Sequence, residues 1–90
     1  MKQQPKMQTF NLLSATNKIE KLVSKHVQVY NIELGFRRNG NCFVLFCMIC
    51  YTEKYDNFTA NVYDFRAELT LANLILEIEK ELKYYNLFKE

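Results

Sequence analysis

Asn39-Gly40 is the feature that most constrains this 90-residue chain, because the dipeptide stands between two β-rich runs. Asn-Gly supplies the two positive-φ positions of a type I′ hairpin turn, which few residue pairs can occupy without strain. With those two residues as the loop, Arg38 lies opposite Asn41 and the register follows. Phe36 then meets Phe43, Leu34 meets Leu45, Ile32 meets Cys47 and Tyr30 meets Ile49. All four pairs are apolar and share one face, as the buried side of a hairpin should.

The same register fixes the other face. Arg37 falls opposite Cys42, Gly35 opposite Val44, Glu33 opposite Phe46, Asn31 opposite Met48 and Val29 opposite Cys50. The first strand is mostly polar on this side and the second is not. Cys42 to Tyr51 is apolar on both faces, the pattern of a central strand covered on both sides. A polar loop, Thr52 to Asn57, leads to a third strand over Phe58 to Phe65. Phe58, Ala60 and Val62 would share one face, with Thr59, Asn61 and Tyr63 on the other.

Helical spacing frames the sheet. Ile19, Leu22, Val23 and His26 recur at intervals of three and four, with Lys18, Lys21 and Lys25 on the opposite side. The spacing predicts a helix over 14–26, with Ser14 or Thr16 as its N-cap. Leu71, Leu74, Ile75, Ile78, Leu82 and Tyr85 form one broad stripe on a long C-terminal helix. Its cap is Thr70 or Asp64, depending on whether Arg66 to Leu69 joins the helix. Residues 1–10, with the chain's one proline at Pro5, read as a flexible lead-in. The expected plan is a single α+β domain over 11–90: helix, three-stranded antiparallel meander, long helix.

Charge and composition narrow the function classes. Hydrophobic residues make up 49% and charged residues 24%, a globular balance. The net charge of +2 hides a basic N-terminal third and an acidic C-terminal third, and neither concentrates charge as a general nucleic-acid binder does. No apolar run follows the early lysines, so no signal peptide is expected. No apolar stretch approaches the roughly 20 residues of a membrane helix. Three cysteines without a secretion signal point to reduced thiols in a cytoplasm.

Little in the sequence supports catalysis. Cys47 and Cys50 have the spacing of a redox or metal pair, but three residues apart on a strand they point to opposite faces. One histidine, His26, does not complete a zinc site with them. No phosphate loop, nucleophile elbow or dinucleotide fingerprint is present. Glu77 and Glu81, four apart on one helix, read as solvated side chains. The expectation is a non-enzymatic chain with no catalytic residue, metal or cofactor.

The sharper expectation concerns binding. Two helices at the ends of a short meander commonly pack on the same side of it. That would leave Val29, Val44, Phe46, Met48 and Cys50 facing outward with Tyr63 alongside, and such apolar patches tend to mark contact sites. Helices on opposite faces would leave no patch. The helix-strand-strand-strand-helix order resembles the double-stranded-RNA-binding domain. In that likeness Lys18, Lys21, Lys25, Arg37 and Arg38 would be the RNA contacts. The chain departs from the family at the start of its last helix, where Arg66-Ala67-Glu68-Leu69-Thr70 stands in place of a lysine cluster.

In size, composition and plan the chain is also similar to small phage-encoded anti-CRISPR inhibitors, a group without a defining motif. That resemblance implies a protein partner such as a nuclease or effector subunit, blocked sterically. Asp56, Glu77 and Glu81 would enter a basic channel, or the apolar patch would clamp the partner. A homodimer, as a structural or accessory subunit, is the further alternative.

Overall fold

The computed structural model describes residues 11–63 and 67–89. The chain runs α1 (Leu12–Val23), β1 (Asn31–Asn39), β2 (Cys42–Cys50), β3 (Asn57–Val62) and α2 (Ala67–Tyr84). The strands form one antiparallel sheet in the order β1-β2-β3, so the expected α+β meander is the observed one. The lead-in over 1–10 and the Asp64 cap lie outside the described residues, and the third strand, expected to run from Phe58 to Phe65, runs from Asn57 and ends at Val62.

The helix ends differ from expectation at both elements. Asn11 rather than Ser14 or Thr16 caps α1, its Oδ1 accepting the Ser14 backbone N–H at 2.9 Å. Thr16 lies inside the helix, where its hydroxyl donates back to the Leu12 carbonyl at 2.7 Å. Helix α1 also stops at Val23, short of His26. Because α2 begins at Ala67, Thr70 is an interior, buried position and not its cap. At the far end α2 closes with a Schellman motif. Asn86 takes φ 60°, the Leu87 N–H donates to the Leu82 carbonyl, and that of Asn86 to the Lys83 carbonyl.

The hairpin register is slipped by two residues from the one inferred above. Asn39 pairs with Cys42, Arg38 with Phe43, Phe36 with Leu45, Leu34 with Cys47 and Ile32 with Ile49. The loop is therefore Gly40-Asn41, with φ +66° at Gly40 and a negative φ at Asn41, the signs of a type II′ turn. On the other face Gly35, not Glu33, stands opposite Phe46. The Phe46 ring lies over Gly35, and a Cβ added there would meet Phe46 Cε1 at 3.5 Å, an ordinary contact distance. A slip of two keeps every side chain on its face, so the inward set survives the correction.

Both helices pack on that inward face. Ile19 and Val23 of α1 and Leu74, Ile78 and Leu82 of α2 share one core with Leu45, Cys47 and Ile49. Phe58, Ala60 and Val62 complete it from β3. Ile49, Ile78 and Leu82 are fully buried. Burial of each such side chain contributes about 1.5–3 kcal/mol, so this single layer of contacts carries most of the fold's stability.

Three expected core positions are not in the core: Tyr30, Phe36 and Phe43 are exposed. Phe43 lies beyond Leu45, the last residue of β2 paired with β3, Phe36 sits on the outer strand, and Tyr30 just precedes that strand. Tyr85, assigned to the helical stripe, follows the end of α2 and is exposed as well, stacking its ring 6.3 Å from that of Phe58.

Candidate functional site: the helix-free sheet face

With both helices on one side, the even-numbered residues of β2 form the centre of the opposite face. Phe46 lies between Gly35 and Asn61, and Met48 between Glu33 and Thr59. The result is an apolar column flanked by Asn61 and Thr59 on β3 and by Gly35 and Glu33 on β1. An apolar centre inside a polar rim is the usual anatomy of a protein contact surface.

The six residues expected on this face do not all reach its surface. Phe46 and Met48 are half-buried and Tyr63, just past β3, is exposed. Val44 and Cys50 are only 3% exposed. Val44 stands opposite Arg37 and Cys50 between Asn31 and Asn57, so each is a small side chain among longer ones. Val29 is a correction: it packs against the helix-side core. The Tyr30 N–H donates to the Cys50 carbonyl at 2.8 Å, and Cys50 is already the partner of Asn31. Two successive residues thus face one, the count of a β-bulge, and alternation is reset ahead of Asn31.

Phe46 is the best-supported side chain of the face. Its ring leans over Gly35, and the Arg37 guanidinium lies 4.3 Å from the ring centroid. A cation over an aromatic face contributes about 0.5–1 kcal/mol at an exposed site, which helps to hold the ring in place.

The basic residues do not converge. Lys18 and Lys21 are exposed on α1 and Lys25 is exposed just past its end, and Lys18 and Lys21 line an open groove with Asn11, Leu13, Ser14 and Asn17. Arg37 lies on the helix-free face, across the sheet from α1. Arg38 donates from Nε to the Gly40 carbonyl at 3.0 Å. The acidic residues are also dispersed. Asp56 accepts the Thr52 hydroxyl at 3.0 Å within the β2–β3 loop, and Glu77 pairs with Lys80 at 3.1 Å. Glu81 is half-buried one turn further along α2.

Cys47 points into the core and Cys50 to the other face, as the strand geometry requires. Burial pushes the Cys47 thiol up to about 12, which keeps it protonated and unreactive near neutral pH. Cys42 is the exposed thiol. Among the described residues no three of His, Cys, Asp and Glu gather as a metal site would require. No described helix is long and apolar enough to cross a membrane.

The sequence reading missed the exposed aromatic tip formed by Phe36 and Phe43. Comparison of the chain with protein-family models, curated proteins and solved structures returns no match.

Proposed function

We propose that this chain is a non-enzymatic protein-binding module that uses the helix-free face of its sheet as the contact surface. The observation that carries this reading is the column of Phe46 and Met48, flanked by Asn61 and Thr59 on β3 and by Gly35 and Glu33 on β1, with the Arg37 guanidinium over the Phe46 ring. The mechanism is steric: the face covers a partner's surface, as an inhibitor of a nuclease or effector complex would. An apolar clamp is better supported than an acidic plug, since Asp56 and Glu77 already have partners within the chain. RNA binding has less support, because Arg37 and the α1 lysines lie on opposite sides of the sheet. Three unpaired thiols fit a reducing, cytoplasmic setting.

Phe46→Asp tests this reading. A charge placed in a dry contact is costly, so the variant should keep its circular dichroism spectrum and lose its partner. A photo-crosslinker at Met48 should join the chain to a protein in its native host, and one at Lys21 should not. Crosslinking to RNA at Lys21, with none to protein at Met48, would reverse the assignment.

A further inference from the structure

We infer that the outer edge of β3 is a strand-addition site, which takes an uncharged, extended segment of a partner protein as a fourth strand of the sheet. The two edges of the sheet are unlike. β1 carries Glu33, Arg37 and Arg38 and the bulge beside Cys50, devices that protect an edge from further pairing. β3 has no charge and no proline from Asn57 to Val62, and its pairing with β2 runs one to one without a bulge. Among the described residues no strand lies on its outer side.

Hydrogen-bond parity shows what this edge offers. The Tyr51 N–H donates to the Asp56 carbonyl at 2.9 Å, and alternation from that pair directs the backbone groups of Phe58, Ala60 and Val62 toward β2. Asn57, Thr59 and Asn61 direct theirs outward. The outward N–H and carbonyl groups of Thr59 and Asn61 have no partner among the described residues. An extended backbone satisfies such an alternating row along its whole length, which is how added strands are recognised.

A groove beside the edge sets the chemistry of the segment. Asn73, Leu76 and Lys80, on one side of α2, form it with Val62 and Tyr63, and it encloses about 250 Å³. Leu76 is 55% exposed there, an apolar contact for a side chain of the added strand. Glu77, also at the groove, pairs with Lys80 at 3.1 Å, so no unmatched charge calls for a charged segment. A second copy fits poorly. Because α2 packs on β3, joining two β3 edges at about 4.8 Å would crowd two helices that need roughly 8–10 Å. A bare strand from another protein brings no such helix. This inference concerns the strand edge and does not depend on the partner proposed for the sheet face.

The test selects binders from a random heptapeptide display library on the full chain and follows the bound peptides by amide exchange. Enriched peptides should alternate apolar with polar residues and lack charge at their centre. On binding, exchange at the Thr59 and Asn61 amides should slow about tenfold or more, while Ala60 and Val62, already directed to β2, should change little. Asn61→Pro removes an outward N–H without touching the ladder to β2, and should weaken binding about tenfold. Leu76→Lys, at an exposed helix position, should fold as the wild type does and weaken the same peptides. A library that yields no binder, or peptides that leave exchange at Thr59 and Asn61 unchanged, would overturn the assignment. So would peptides that bind both variants as tightly as the wild-type chain. Phe46→Asp should retain the peptides, which separates failure of the edge from failure of the face.

Discussion

The imidazole of His26, just past α1, accepts a hydrogen bond from the backbone N–H of Lys89 at 2.8 Å through Nδ1. Its ring also stacks on Phe88, with centroids 4.4 Å apart, and the Lys83 ammonium lies over the same Phe88 ring. The Schellman turn at Asn86 makes this possible by folding the chain back after α2. A residue that sequence spacing places on a helix face is therefore a latch between the two ends of the domain. His26→Ala should cost about 1 kcal/mol, combining a lost ring contact with a lost hydrogen bond. Amide exchange at Phe88 and Lys89 should rise more than exchange in β2. His26→Phe, which keeps the stack and drops the acceptor, should recover part of the loss.

The two glycines should respond in opposite ways to alanine. At Gly40 a Cβ meets no atom within 4 Å, but φ is +66°, so Gly40→Ala should cost about 1 kcal/mol through backbone strain. At Gly35 the backbone is ordinary and a Cβ would meet Phe46 at 3.5 Å, a normal contact distance. Gly35→Ala should be neutral or stabilise by up to about 0.5–1 kcal/mol, because it removes chain freedom from the unfolded state. Urea midpoints for the two variants give the comparison directly.

Tyr55 holds φ 63° in the β2–β3 loop with its side chain largely exposed. Its N–H closes the turn to the Thr52 carbonyl at 3.0 Å, so the strained conformation is built into the connection. Tyr55→Gly should raise stability by about 0.5–1 kcal/mol, since the left-handed conformation disfavours a Cβ and little packing is lost. A lower thermal midpoint for this variant would show that the exposed ring makes a contact that matters.

The thiols should separate by depth. Cys42 should react quickly with a thiol reagent at about pH 8, while Cys47 and Cys50 should react only as the chain opens. Cys47 also gives the stability a pH dependence. Its folded thiol is pushed up to about 12, above an exposed cysteine at about 8.5, so the folded chain holds a proton that the unfolded chain releases. The contribution is fully present below the unfolded value and is lost as pH rises through the folded one. Urea midpoints should fall from about pH 8 to about pH 10.5, and Cys47→Ala should show a shallower fall.

Local chemistry and alternation were enough to specify much of this protein. The element order, the inward set of Leu45, Cys47 and Ile49, and the divergence of Cys47 from Cys50 all follow from periods of two and about 3.6. The hairpin register did not follow, because Asn39-Gly40 and Gly40-Asn41 both serve as turns and a two-residue slip preserves every face. The choice between them coincides with the fit of the Phe46 ring over Gly35, a contact between strands. Val29 turned inward because a bulge beside Cys50 reset the alternation, and Phe43 stayed exposed because it lies beyond the last β2 residue paired with β3. Placement of both helices on one face, which opens the Phe46 face to a partner, is likewise a matter of long-range packing. Periodicity assigns a side chain to a face; only the folded chain decides what covers that face.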